Sequence, residues 1–155
     1  MAGPNQYSDL AYVKRVGLMS RSDVDLLEQR EGVGFVDGVC EAVSRYFDTR
    51  LVKRYVTPQP APFAESLRWH VTSVVVRRLF GRRGWAPGAG PDDEVVKASE
   101  AAEAWLTDAV DSKDGNVELL RVNGATAVER GGPLGYSEAN PYEWRSAQRD
   151  AVRDS

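Results

Sequence analysis

The chain has 155 residues and a mass of 17.1 kDa, enough for one domain with a core that needs no staples, and a tail. A formal net charge of −3 and a pI near 5.3 exclude a global basic field of the kind that gathers nucleic acid. The charges are interspersed rather than blocked, as on solvated helix faces.

The N-terminal stretch MAGPNQYSDL has neither a basic region nor an apolar run, so no secretory signal is expected, and no later apolar run approaches membrane-spanning length. Residues 1–7 read as a flexible lead. Ser8 is placed to cap a short helix with Asp9 in its first turn; Leu10, Tyr12, Val13 and Val16 carry it, and Gly17 ends it. Ser20 or Ser22 can cap a second short helix bearing Val24, Leu26 and Leu27, which breaks at Glu31-Gly32-Val33-Gly34.

Residues 33–62 organise the rest. Val36, Val39, Cys40, Val43, Phe47 and Leu51 recur every three or four positions, with Tyr46 beside them. This spacing predicts an amphipathic helix closing on Arg54-Tyr55. Pro58, Pro60 and Pro62 then forbid helix and turn the chain. Cys40, the one cysteine, has no disulfide partner in the chain and reads as a small buried hydrophobe.

Residues 63–80 predict a further helix with two apolar stripes. Phe63, Leu67, His70, Val71, Val74 and Val75 form one; Trp69, Val76 and Phe80 form the other. A helix apolar on two sides is central in its own domain or shared with a neighbouring subunit. The β-branched run at 71–76 is also compatible with a buried strand; length and the polar strip of Glu65, Arg68 and Thr72 favour helix. A glycine-rich loop at 81–91 precedes a helix opened by Asp92, Asp93 and Glu94 at its positive end. Val95, Ala98, Ala102, Leu106 and Ala109 line one face, with Trp105 adjacent, and Asp114-Gly115 stops it.

The character changes at Asn116. Two short apolar runs, 117–122 and 125–128, flank Asn123-Gly124, a hairpin signal, and a turn-rich stretch carries Tyr136, Tyr142 and Trp144 as isolated aromatics. The expected organisation is a helical domain over 1–115 and an extension or arm over 116–155.

Chemistry is sparse. His70 sits on an apolar stripe without a serine or cysteine nucleophile motif, and one histidine with one cysteine is too few for a metal site. The glycines at 81, 84, 88 and 90 lack the lysine and setting of a phosphate loop. Asp92/Asp93 and Glu100/Glu103 read as caps and solvated charge rather than acid–base pairs. No cofactor is expected. Arg77, Arg78, Arg82 and Arg83 form the one concentrated basic patch. With Trp85 nearby it suits phosphates and a stacked base, or equally an acidic partner.

The layout resembles the helical head–tail connector (neck) proteins of tailed phages, in particular the small Mu-like virion protein family. The resemblance rests on Tyr7-Ser8-Asp9-Leu10 before a short helix, a second short helix, and a long helix closing on Leu51-Val52-Lys53-Arg54-Tyr55-Val56-Thr57-Pro58. It continues with Pro62 opening a hydrophobic helix that ends in paired arginines (Arg77-Arg78-Leu79 or Arg82-Arg83), and a last helix bearing Trp105-Leu106 and closing at Gly115. It spans about residues 7–115. The chain departs from the pattern at Gly38 and Cys40, where alanines are usual, in the 81–91 loop, and in the extension.

The resemblance implies an all-α fold, a small bundle of about four to five helices with an extended or hairpin-bearing C-terminal arm. It implies a structural virion protein of a bacteriophage rather than an enzyme. Such adaptors form a homo-oligomeric ring, about twelve-fold, between the portal protein and the downstream neck or tail protein. The ring extends the channel through which DNA passes without sequence specificity during ejection. Localisation is then the virion neck, after synthesis in the bacterial host cytoplasm, with no membrane contact. Arg54, Tyr55, Pro58 and Pro62 become a structural elbow; Trp69, Val76 and Phe80 a subunit interface; Tyr136, Tyr142 and Trp144 a partner-docking arm; residues 116–155 are expected to be protease-sensitive alone and protected in the assembled neck. The alternative is a nucleic-acid-binding accessory protein using the arginines of 77–83.

Overall fold

In the computed structural model, residues 6–84 and 90–122 are described; all belong to one compact unit that closes at Val122. The expected arm residues Tyr136, Tyr142 and Trp144, the turn at Asn123-Gly124 and Trp85 lie outside the described residues. The described part is all-α, five helices with a single isolated bridge: α1 (Leu10–Val16), α2 (Arg21–Glu31), α3 (Phe35–Leu51), α4 (Glu65–Arg83) and α5 (Pro91–Asp111).

Helix ends follow local chemistry, with corrections. Asp9, not Ser8, caps α1, its carboxylate accepting from the Tyr12 N–H at 2.7 Å; the Ser8 hydroxyl instead meets the Thr72 hydroxyl of α4 at 2.8 Å. Ser20 caps α2 through the Asp23 N–H. The start of α3 has no cap of its own; Glu28 of α2 reaches over and accepts from the N–H groups of Gly34 and Val36 at 2.7 and 2.6 Å. The expected lead ends sooner than residue 7. Gln6 and Tyr7 are buried, with the Tyr7 N–H donating to Ser44 of α3 and the Arg68 side chain of α4 donating to the Tyr7 carbonyl.

α3 stops at Leu51 and does not run through Arg54-Tyr55. The Arg54 and Tyr55 N–H groups both turn back onto the Leu51 carbonyl, and Tyr55 then pairs with Arg121 in an antiparallel bridge. The Val56 N–H donates to the Leu120 carbonyl and the Val122 N–H to the Arg54 carbonyl. Residues 116–122, expected to belong to the arm, therefore lie against the elbow, and Leu119 is buried there.

α4 is the axis. It packs against all four other helices, and 71–76 is helical although its residues are β-branched or hydroxylated. Burial of Val71, Val74, Val75, Val76, Leu79 and Phe80, each stabilising by about 1.5–3 kcal/mol, outweighs a propensity difference of tenths per residue. The Thr72 and Ser73 hydroxyls are satisfied within the helix, donating to the Arg68 and Trp69 carbonyls. α5 lies along α4, Val95, Ala102, Leu106 and Ala109 inward, with Pro91 in its first turn.

Candidate functional site

Two regions collect the residues singled out by sequence. The first is the elbow between α3 and α4. Arg54 does not serve the end of its own helix; its guanidinium donates to the carbonyls of Ser112 and Lys113 (2.7 Å to the latter) and, at 3.5 Å, of Val110, all at the end of α5. A cation there meets the negative end of the α5 dipole and orphan carbonyls together. α5 has no basic residue in its last turn, so Arg54 supplies one from a distance of 56–59 residues in sequence. The buried Tyr55 hydroxyl donates to the Ala109 carbonyl at 2.7 Å and accepts from the Asn116 N–H at 2.6 Å.

Tyr7 completes the elbow from below. Its hydroxyl donates to Asp48 and accepts from the Gln59 N–H at 2.9 Å, and its ring meets Phe63 edge-on. Burial, then the bond to Asp48, pushes the Tyr7 hydroxyl far above its ordinary range; burial also raises the Asp48 carboxyl despite the bond from Tyr7. Gln59 ties the two bridged segments together, donating to Val56 and Leu120 carbonyls and accepting from the Leu120 N–H. The peptides before Pro58 and Pro62 are cis, and both prolines are exposed.

The second region is α4. Val76 and Phe80, expected at a subunit interface, are 0% and 1% exposed. They lie in the chain's own core rather than on its surface, which corrects that expectation. Trp69 alone of the three reaches the surface, at 40%. His70 stacks on Trp105 at 4.6 Å between ring centroids; burial lowers its pKa, and its Nδ1 is buried without a hydrogen-bond partner. Cys40 is fully buried, its thiol pushed by burial up to about 12, which keeps it protonated and inert.

The four arginines do not form one patch. Arg77 donates to Ser99 on α5 at 2.7 Å. Arg83 bridges Asp23 of α2 (2.8 Å) and Asp92 of α5 (3.0 Å), tying three helices at one end. Arg78 and Arg82 remain, both exposed, and neither guanidinium has an ion pair or hydrogen bond among the described residues. They flank a groove of about 380 Å³ with Phe35, Gly38, Val39 and Ala42 of α3. Reading the sequence missed this groove: Gly38 and Ala42, one turn apart beside arginines one turn apart, were the available signal, but only folding sets α3 beside the end of α4. Among the described residues no group of three or more His, Cys, Asp or Glu side chains is placed to hold a metal, and no helix is long and apolar enough to cross a membrane. Compared with protein-family models, curated proteins and solved structures, the chain matches none.

Proposed function

We propose that this chain is a structural subunit of a tailed-phage head–tail connector. It would be one copy of a ring in the virion neck that joins the portal to the next neck or tail component and extends the DNA channel. The observation that carries the reading is the elbow. The residues on which the family resemblance rests, Tyr7 and Arg54-Tyr55 before Pro58, are the ones that lock the fold. Together they hold the N-terminal segment, α3, the end of α5 and residues 116–122 in one hydrogen-bonded corner. A ring subunit must present two different faces at a fixed angle to its neighbours, and rigidity at the turn between its long helices supplies that. The helix order is the one the resemblance implies.

The test is to purify particles, identify their proteins, and image the neck, with purified portal offered to the isolated chain. Presence at the head–tail junction and binding to portal are expected; absence from particles together with no portal binding would end the reading. A second reading keeps a place because two exposed guanidinia one helical turn apart can contact phosphates. It expects a steeply salt-dependent DNA affinity that collapses in Arg78→Ala/Arg82→Ala.

A further inference from the structure

The groove beside Arg78 and Arg82 has an open apolar floor. A Cβ placed on Gly38 would meet nothing within 4 Å, so a partner backbone can approach α3 closely there. Gly38 and Ala42 are one turn, about 6 Å, apart on α3, and Arg78 and Arg82 have the same separation on α4. The site thus asks for a helix with small residues at its centre and carboxylates on its flanks.

The same chain carries such a face. On the outer side of α5, Glu100, Ala101, Ala104 and Asp108 are all exposed, and neither acid carboxylate has an ion pair or hydrogen bond among the described residues. The alanines leave room for close approach. Glu100 and Asp108 stand about 12 Å apart on either side of them, wide enough to bracket Arg78 and Arg82. One exposed base, Lys97, shares this side, and Asp111 adds a further acid beyond Asp108. The inner side of α5 is already committed to α3 and α4 of its own chain, so the outer side cannot reach its own groove.

We infer that the Arg78/Arg82 groove takes the outer face of α5 from a second copy of this chain, giving a head-to-tail contact between unlike surfaces. Such a contact repeats from copy to copy and closes into a ring or runs into a filament. The inference rests on the connector reading for its setting and adds to it the two surfaces that meet; Trp69, exposed elsewhere on α4, is not among them.

The test reads self-association by sedimentation velocity and light scattering over a range of protein and salt concentrations, with folding followed by circular dichroism. Wild type should associate, and less as salt rises. Arg78→Glu/Arg82→Glu and Glu100→Arg/Asp108→Arg should each stay folded and raise the dissociation constant by at least about tenfold. Mixed in equal amounts, the two variants should associate again, because each reversed surface then meets its complement on the other. Association of either variant at wild-type strength, no recovery in the mixture, or a wild type that stays monomeric would overturn the pairing. So would binding of a single-stranded oligonucleotide through Arg78 and Arg82 without self-association. The connector reading stands or falls separately, on the presence of the chain in particle necks and its binding to portal.

Discussion

Tyr55 and Arg54 show how much can depend on single polar groups. The Tyr55 hydroxyl is buried between a carbonyl and an N–H that would otherwise be unpaired. Tyr55→Phe should lower unfolding free energy by about 1–3 kcal/mol in denaturant melts. Gly115 has a stricter demand. Its φ is +61°, and an added Cβ would lie 2.6 Å from the Tyr55 hydroxyl and 2.8 Å from the Arg54 guanidinium carbon. Gly115→Ala should therefore destabilise by more than the ~1 kcal/mol of an ordinary glycine replacement, and a Tyr55→Phe background should soften the effect. His70 gives a pH dependence with a definite sign. Burial lowers its pKa below the ordinary 6.5, so the folded state binds fewer protons than the unfolded one. The stability owed to a neutral His70 is complete above 6.5 and is lost as pH falls through the lowered value. His70→Phe keeps the stack on Trp105 and removes the orphan Nδ1, so its melts should lose less stability than wild type between about pH 7 and pH 5. Equal slopes would show that the imidazole does not titrate differently on folding.

Among the elements, α4 decides most. Its two apolar stripes left a choice between a central helix and a shared one, and the packing settled it: α4 contacts all four other helices, and Val76 and Phe80 are buried in the chain's own core. Phe80→Ala should open a cavity and lose about 3–5 kcal/mol, whereas Trp69→Ala, at a 40% exposed position, should lose far less. Chemical denaturation of the two side by side checks this; similar losses would mean that Phe80 is not a core residue. The elbow ranks next. Ala102, Leu106 and Ala109 hold α5 on the core, but its last turn has no base of its own and relies on Arg54.

For the folded unit, the closing segment of residues 116–122 belongs to the bundle. Leu119 is buried and Asn116 completes the Tyr55 hydrogen bonds. A chain ending at Val122 should therefore unfold cooperatively and at a higher temperature than one ending at Gly115, by several degrees for a loss of about 2 kcal/mol. Calorimetry of the two truncations measures this, and coincident transitions would place residues 116–122 outside the cooperative unit.

Helix number, order and inward faces were legible in the residues, because periodicity of apolar positions is a local property that each segment carries whatever it meets. The Gly17 end of α1 and a cap for α2 at Ser20 or Ser22, of which Ser20 is the one used, were legible for the same reason. Ser8 misled because two adjacent residues could each cap α1, and the competing partner of Ser8, Thr72, is 64 positions away. The end of α3 was placed too late because Arg54 and Tyr55 fit a helical end in isolation, while their real partners are carbonyls of α5. The arginines of 77–83 looked like one patch in sequence, but successive residues of a helix point about 100° apart. Asp23, Asp92 and Ser99 then claimed Arg83 and Arg77 and left Arg78 and Arg82 to the groove. Local chemistry set what each segment is; which charges are spent inside the fold and which face outward depended on long-range packing, since only packing brings a residue to a partner fifty positions away.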